Sequence, residues 1–366
     1  MKNGFIALAL ACASAAGATT SGNFIHVANN GVDAPGCGTA ASPCRSISTA
    51  ISSALEGDTI LVRPGLYGDL DLDGTLGSQG EESGTFGGMI NINKRVIILS
   101  TGGAEVTALR GVDGLSVVNI AASGVQFGAR NAGFSISGGT AYGIVMSGAR
   151  GKISGNDVHA PTAGIYLLSD GLLEASDNVV SGSQGNGISV QSFNNGTGAV
   201  LLHDNVVFGA GFSTGIQLSP LAAHRVYNNT VKEAYYGITV SPGPSRVYQN
   251  TLTNNRIGIA LTNYPGIEPP GGTNGAPVIS RNNLVGNIGS GFIVLPAATA
   301  SVTLRENNLF GNGVCGVASN GVVNVDARYN YWVAPTGPSF TNPADPVCGE
   351  ENVQTTPFAN REFFIR

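Results

Sequence analysis

A short repeat organises the sequence between Gly143 and Trp332. One of its two phrases is a glycine followed by alternating apolar residues, and it begins at Gly143, Gly164, Gly187, Gly215, Gly237, Gly258 and Gly291. The other is an asparagine, one residue and then usually an apolar residue, at Asn156, Asn178, Asn205, Asn229, Asn250, Asn283, Asn308 and Asn330. These asparagines are 22, 27, 24, 21, 33, 25 and 22 residues apart. This spacing predicts one structural turn per repeat, with loops inserted where it grows.

A single repeat unit cannot form its own hydrophobic core. It offers only strands of about three to five residues with period-two alternation, separated by Gly, Asn and Ser. Stacked units can bury their apolar faces, because equivalent isoleucines then form one internal column. That column is predicted to contain Ile144, Ile165, Ile188, Ile216, Ile238 and Ile259. The asparagines are expected to adopt the left-handed backbone conformation at the turns and to hydrogen-bond their equivalents along the stack.

This pattern resembles the right-handed parallel β-helix proteins of the pectate-lyase-like superfamily, which have an asparagine ladder and turns of about 22 residues. The expected fold is therefore all-β, a right-handed single-stranded parallel β-helix with a short N-terminal capping helix. A leucine-rich-repeat solenoid would need several leucines at fixed offsets, and β-propeller blades would need about twice this period. Neither alternative fits the sequence as well.

Both ends of the chain support the same fold. A short helix is expected near residues 44–55, with its apolar face over the first coil; that face comprises Ile47, Ala50, Ile51, Ala54 and Leu55. The order of motifs resembles the N-terminal cap of secreted β-helix proteins, and the matching residues are Ser42-Pro43, Ile47, Gly57 to Ile60, Pro64-Gly65 and Tyr67. The tail resembles their closing segment, through Asn330-Tyr331-Trp332, Gly337-Pro338, Asn342-Pro343 and Pro357-Phe358. Trp332 is expected to close the core, with sugar stacking as the alternative.

The N-terminus indicates export. An apolar run from Phe5 to Ala13 is followed by small residues, so residues 1–18 are predicted to be a signal peptide. Lipidation of Cys12 is the alternative. The remaining 19–366 are expected to form one domain, with the cap and first strands in 19–68, the coils in 89–332 and a tail in 333–366. No later segment is predicted to cross a membrane.

Cysteine number and charge restrict the function further. Four cysteines remain after the signal peptide, and they allow three pairings: Cys37, Cys44, Cys315 and Cys348. Proximity favours a Cys37–Cys44 disulfide and, by elimination, a Cys315–Cys348 disulfide. A zinc site would need paired spacings and histidine partners that are missing. The net charge of −5 and the absence of a basic patch argue against nucleic acid as a partner.

The segment from residue 69 to 74 suggests calcium as a cofactor. Three alternate carboxylates precede a glycine, as at the start of a D-x-D-x-D-G calcium loop: Asp69, Asp71, Asp73 and Gly74. Gly80 stands where the glutamate at the twelfth position is expected, although Glu81 and Glu82 could replace it. The alternative is a strand with Leu70 and Leu72 inward and the aspartates in water.

Two sets of residues form a possible site on the lateral surface. Arg225 and Arg246 lie four residues before their ladder asparagines, and His203, Tyr227 and Tyr248 lie two before theirs. Both sets are predicted to face outward on neighbouring coils, where arginines could bind carboxylates and rings could stack on pyranose faces of an acidic sugar chain. The alternative is ordinary stacking between coils. Insertions at 263–277 and 192–198 could wall a groove.

The motifs of one class of sugar-degrading enzyme are missing. Hydrolases that resemble polygalacturonase carry Asn-Thr-Asp, Asp-Asp and Gly-His-Gly phrases, and none occurs here, so the paired carboxylates of an inverting mechanism are lacking. A lyase needs a cation at the uronate carboxylate and a base. Only the lateral arginines with His203, Tyr227 or Tyr248 could supply these. We therefore expect a protein that binds polysaccharide or a cell-envelope partner, with a lyase acting on an acidic glycan by β-elimination as the alternative.

Overall fold

The computed structural model describes residues 22–78, 80–84, 87–192, 198–210, 213–220, 222–263, 275–334, 336–340, 344–349 and 351–365. Four of the segments singled out in the sequence lie outside the described residues: the predicted signal peptide with Cys12, the centres of the two insertions (193–197 and 264–274), and Asn342-Pro343.

The chain winds into a right-handed parallel β-helix whose regular coils each contribute three strands, one to each of three sheets. Sheet A contains β1 (Phe24–Val27), β2 (Thr59–Val62), β5 (Ile97–Ser100), β8 (Val125–Phe127), β15 (Ala199–His203), β18 (Arg225–Tyr227), β21 (Arg246–Tyr248), β24 (Val278–Ser280), β27 (Val302–Arg305), β30 (Val325–Asp326) and β32 (Val353–Gln354). Sheet B contains β4 (Gly88–Ile92), β7 (Ser116–Ile120), β14 (Asn186–Ser192), β17 (Thr214–Gln217), β20 (Tyr236–Val240), β23 (Ile257–Leu261), β26 (Ser290–Val294), β29 (Val317–Ala318) and β31 (Val347–Cys348). Sheet C contains β3 (Gly65–Gly68), β6 (Thr107–Gly111), β9 (Ser135–Gly138), β11 (Asp157–His159), β13 (Val179–Ser181), β16 (Val206–Phe208), β19 (Thr230–Lys232), β22 (Thr251–Thr253), β25 (Asn283–Val285) and β28 (Asn308–Phe310). Two long strands, β10 (Tyr142–Ser154) and β12 (Ala163–Ser176), run through both sheet B and sheet A.

The predicted isoleucine column lies inside the helix. Its six members pair in register from coil to coil, and each is fully buried: Ile144, Ile165, Ile188, Ile216, Ile238 and Ile259. The glycine before each one has a steric reason. A Cβ on Gly215 would lie 2.3 Å from Val231 Cγ1 of sheet C and 2.6 Å from the Gly237 carbonyl oxygen of the next coil. The repeated glycine therefore allows sheets B and C to approach closely where they meet.

The asparagine ladder runs along the turn between sheets A and C. At Asn229, the side-chain oxygen accepts hydrogen bonds from the main-chain N–H and the amide of Asn205, at 3.0 Å each. Its own amide donates to Asn250 Oδ1 at 2.9 Å. The rungs are Asn156, Asn178, Asn205, Asn229, Asn250, Asn282, Asn307 and Asn330.

Two of the predicted rungs, Asn283 and Asn308, are wrong by one residue. Each follows another asparagine, and the preceding one is the rung. The apolar side chain that faces the core in the first of these coils is Leu284, which pairs with Leu252, and not Val285. A rung lies two residues before that position, which selects Asn282.

The left-handed conformation also belongs to a different residue from the one expected. The residue before each rung has positive φ, for example Asp204, Asn228 and Gln249 at 56°, 55° and 57°. The rung asparagine instead points its amide into the turn, where it is buried and fully hydrogen-bonded.

A second ladder, which was not predicted, runs along the turn between sheets C and B. Asn255 donates to Asn287 at 3.2 Å, Asn287 donates to Asn312 at 3.0 Å, and Asn312 donates to the buried carboxylate of Asp345 at 2.6 Å. These residues share the sequence context of the first ladder, a left-handed residue followed by asparagine, as at Asn254 with φ 57°. That context is the signal by which this ladder could have been found.

The N-terminal cap is confirmed, with one correction. The helix α1 (Ile47–Ser53) begins after the N-cap Ser46, whose hydroxyl accepts from the Thr49 N–H at 3.1 Å, and it packs against β1, β2 and β4. Leu55, which was expected on its apolar face, is 68% exposed. The helix ends at Ser53 and the chain then turns away, so Leu55 does not continue that face.

Covalent and apolar contacts stabilise both ends of the helix. The disulfides Cys37–Cys44 and Cys315–Cys348 are both formed, as predicted. Trp332 is completely buried, which agrees with its predicted place in the core and leaves its ring no surface for a sugar.

Candidate functional site

The lateral face of sheet A carries the two predicted columns. Strands β15, β18 and β21 pair so that Leu201, Arg225 and Arg246 form one column, and His203, Tyr227 and Tyr248 form the other. The residues between them are fully buried: Leu202, Val226 and Val247. Period-two alternation therefore turns both columns outward, as expected.

The three rings form a continuous stack along the helix axis. The centroids of His203 and Tyr227 are 4.8 Å apart, and those of Tyr227 and Tyr248 are 5.1 Å apart, with interplanar angles of 8° and 11°. Both faces of Tyr227 are thus covered by its neighbours. The expectation that each ring could stack on a sugar is therefore wrong for Tyr227, because coils about 4.8 Å apart leave no room between successive rings.

The stack ends at Tyr248, and an open cleft begins there. In the next coil, Ser280 takes the register position of Tyr248, and Val278 takes that of Arg246. These shorter side chains leave a cleft of about 610 Å³ beside the terminal ring. Its lining residues are Arg225, Arg246, Tyr248, Gln249, Val278, Ser280, Arg281 and Glu306.

The cleft contains unneutralised positive charge. Arg225 and Arg246 lie opposite each other on adjacent strands, and no carboxylate among the described residues forms an ion pair with either. Arg281, at the same cleft, pairs with Glu306 at 2.7 Å. Like charges opposite each other in a sheet repel. An anion bound between the two free guanidinium groups would relieve that repulsion.

At the opposite end of the stack, charged side chains contact the His203 ring. Asp204 and Glu174 contact the two ring nitrogens of His203, at 2.7 and 3.2 Å, and Lys152 contacts Glu174 at 2.7 Å. Burial alone would raise the pKa of Glu174, but the hydrogen bonds and charges of Lys152 and His203 outweigh it and lower that pKa. With both nitrogens engaged, His203 has no free position from which to remove a proton from a substrate.

Tyr227 is also poorly placed as a base. Burial has the largest effect and raises the pKa of the Tyr227 phenol. The nearby Tyr248, Asp204 and Glu174 raise this pKa further, and the charge of Arg225 opposes them. The hydroxyl therefore stays protonated at neutral pH. Tyr248 is the tyrosine whose side chain lines the cleft itself.

The acidic segment differs in part from both of its sequence interpretations, although Glu81, offered there as a substitute, does join the group. It forms a turn rather than a strand: Asp69 is only 5% exposed, whereas Leu72 is 55% exposed and has a φ of 65°. Carboxylate oxygens of Asp69, Asp71 and Glu81 lie within 4.8 Å of one another. Asp73 is not part of this group, because its Oδ1 accepts from the main chain and hydroxyl of Thr75 at 2.7 and 2.6 Å.

Comparisons with known proteins agree with the fold. The profile of the family described as periplasmic copper-binding protein (NosD) matches residues 91–268, just under half of the chain. Among solved structures, pectate lyase Pel9A superposes with a TM-score of 0.53 at 15% identity, over 94% of this chain and 82% of that one. The GH136 lacto-N-biosidase from Eubacterium ramulus has a TM-score of 0.56 at 10% identity, over 93% and 68%. No curated protein sequence matches significantly.

The copper in the family's description calls for ligands that can be looked for among the residues of this chain. Copper sites use histidine, cysteine or methionine ligands. Over the described ranges, the groups with ligand spacing are the acidic cluster and a set of Asp33 with Cys37 and Cys44, whose sulfurs form a disulfide. These residues do not fit copper. None of the helical structure described is long and apolar enough to cross a bilayer.

The shared register, the internal isoleucine column, the asparagine ladders and these superpositions all indicate one architecture. At this level of identity, the likeness concerns the path of the chain and not its chemistry. The chain has the right-handed parallel β-helix fold that is also found in pectate lyase.

Proposed function

We propose that this is an exported β-helix protein that binds an acidic polysaccharide in the cleft at the end of the ring stack. The observation that carries the proposal is the pair of unneutralised guanidinium groups, Arg225 and Arg246, beside the terminal ring of Tyr248. A sugar ring laid on Tyr248 would continue the stack into the next coil, where Ser280 leaves room. Its carboxylate would then lie within reach of Arg246.

Export and a saccharide partner have separate support. The apolar N-terminal run, two disulfides and a match to a family described as periplasmic are typical of an oxidising compartment outside the cytoplasm. Two solved proteins with the same fold are named as a pectate lyase and a lacto-N-biosidase. The net charge of −5 and a pI near 5.4 argue against nucleic acid as the partner.

Calorimetry with size-matched oligosaccharides tests this function. Oligogalacturonates and alginate oligomers are expected to bind, and neutral oligomers of equal length are expected to bind at least tenfold more weakly. The double substitution of Arg225→Ala and Arg246→Ala is expected to lower the affinity for acidic oligomers at least tenfold. Arg256→Ala is the matched control, since that arginine lies over the Tyr235 ring in another cleft. Equal affinity for acidic and neutral oligomers, or an effect of Arg256→Ala as large as that of the double variant, would contradict the proposal.

A lyase is the second candidate, favoured by one observation: the Tyr248 side chain and the two free arginines line the same cleft. The cations would neutralise a uronate carboxylate, and the phenol would have to act as the base. Incubation with pectin, alginate and glycosaminoglycans, with and without calcium, followed by absorbance of the unsaturated product, separates the two functions. Binding without product supports the binding protein. Product that still forms in the double arginine variant would reject these residues as the site.

A further inference from the structure

The acidic turn near the capping helix holds a buried carboxylate oxygen that has no partner in the part of the chain that the structure describes. Asp69 is 5% exposed, and its Oδ2 accepts from the Gly74 N–H at 3.2 Å. Its Oδ1 is buried, and no donor among the described residues forms a hydrogen bond with it. A buried acceptor of this kind is costly unless something occupies the space beside it.

Two further carboxylates lie at the same place. Oxygens of Asp71 and Glu81 lie within 4.8 Å of Asp69 and of each other. Glu81 is itself 6% exposed, and main-chain N–H groups of Leu70 and Ser78 hold its two oxygens at 3.0 and 3.1 Å. Over the described ranges, no lysine, arginine or histidine forms an ion pair with any of the three. Three close carboxylates without a countercharge repel each other strongly.

We propose that Asp69, Asp71 and Glu81 bind a calcium ion, with the unpartnered Oδ1 of Asp69 as one ligand. All the donors are carboxylate oxygens, which suit a hard cation rather than a thiophilic metal. Their irregular arrangement on a turn, partly open at the exposed Asp71, suits calcium better than magnesium, which demands near-octahedral geometry. Water would complete the coordination. This site is separate from the glycan cleft and does not depend on the proposed function.

The next residue connects this site to the N-terminal cap. Glu82 is completely buried, and its carboxylate accepts from the Ile47 and Ser48 N–H groups at the start of α1, at 2.8 Å each. A cation that fixes Glu81 also fixes Glu82 and, through it, the first turn of the helix that covers the end of the core. Calcium would therefore stabilise the cap.

Calcium titration of the purified full-length chain, after removal of metal with a chelator, tests the site. We expect binding by calorimetry with a Kd of about 10⁻⁴–10⁻³ M, as in extracellular modules. At a hundredfold excess over Kd, the Tm is expected to rise by roughly 4 °C. Asp69→Asn and Glu81→Gln are expected to weaken binding at least tenfold. Asp73→Asn is the matched control and is expected to bind as the parent does, since Asp73 is turned toward Thr75.

A crossover in stability distinguishes lost ligands from damaged folding. In chelator, Asp69→Asn is expected to have a higher Tm than the parent, because one of three repelling charges is gone; with calcium, the order is expected to reverse. Glu82→Gln is expected to keep calcium binding and a similar increase in Tm, but to start from a lower Tm, because its contacts with the start of α1 are weakened. No calorimetric binding at millimolar calcium, an equal response to magnesium, or loss of binding in Asp73→Asn but not in Glu81→Gln would overturn the assignment.

Discussion

The ring of Tyr248 lies opposite Ser280 across one coil boundary, in the register that places Tyr227 on its other face. One small residue thus ends a stack that a third tyrosine would have continued. The cleft beside the free arginines exists because of this change in side-chain size.

Extending the stack should therefore weaken the proposed glycan binding. In Ser280→Tyr, the new ring is expected to stack on Tyr248 and to fill the cleft. The affinity for acidic oligosaccharides should then fall at least tenfold, while the Tm changes by no more than about 2 °C. Ser280→Ala is the control and is expected to bind normally. Undiminished binding by Ser280→Tyr, measured by calorimetry, would place the glycan elsewhere.

The assignment of the ladder can be tested by substituting adjacent asparagines. Asn282 is fully buried, accepts from the Asn250 N–H and amide at 3.0 and 2.9 Å, and donates to Asn307 at 3.0 Å. Asn282→Ala leaves several buried groups unpaired and is expected to lower the free energy of unfolding by about 3–5 kcal/mol. Asn283 is only part-buried; Asn283→Ala removes a hydrogen bond from the Asn308 amide at 2.6 Å and a longer one to Thr251 at 3.5 Å, and is expected to cost about 1 kcal/mol. Denaturant unfolding of both variants measures the difference, and equal losses would contradict the assignment.

His224 makes stability depend on pH. Burial lowers the pKa of His224 from 6.5 to about 4, despite an opposing hydrogen bond that His224 donates to the Ser219 carbonyl oxygen. Between these values the unfolded chain binds more protons, so stability rises with pH from about 4 to 6.5, by up to about 3 kcal/mol.

The variant His224→Gln isolates this contribution. Its free energy of unfolding, measured against that of the parent from pH 4 to 7, is expected to change less with pH. Glu82 and Asp345, whose pKa values burial raises, act in the opposite direction in both proteins and so cancel in the comparison. A pH profile identical to that of the parent would show that His224 is not held neutral.

The two disulfides should differ in their effect on stability. Cys315 and Cys348 are 33 residues apart, whereas Cys37 and Cys44 are 7 apart. Closing the longer loop restricts the unfolded chain more, so replacing its pair with serine is expected to cost about 4 kcal/mol, against about 2.5 kcal/mol for the shorter loop. Thermal unfolding of the two double variants gives the order, which would be reversed if contacts around Cys37–Cys44 dominated.

The period and the buried column were predictable because each depends on local sequence that every coil repeats. The glycine before each isoleucine is set by the close approach of neighbouring strands, as at Gly215, and no other residue fits there. The positions of Asn282 and Asn307 were harder to predict. Where two asparagines adjoin, only the direction of the next apolar side chain decides which one turns inward.

The site was only partly predictable. Strand alternation placed Arg225, Arg246 and the three rings on one face, because that depends on period alone. That the rings cover one another, and that the cleft opens at Ser280, follow from contacts between coils that no single repeat contains. In the acidic turn, the replacement of Asp73 by Glu81 depends on a backbone reversal at Leu72, which an alternating pattern does not predict.

The second asparagine ladder makes the C-terminal coils of the solenoid more stable than the N-terminal ones. Coils that carry Asn255, Asn287 and Asn312 are joined at two turns by buried amide contacts, whereas the described coils before them are joined in this way only at the first turn. On heating or mechanical pulling, the coils before residue 229 should therefore unfold first, and the coils nearest the C-terminal disulfide should unfold last.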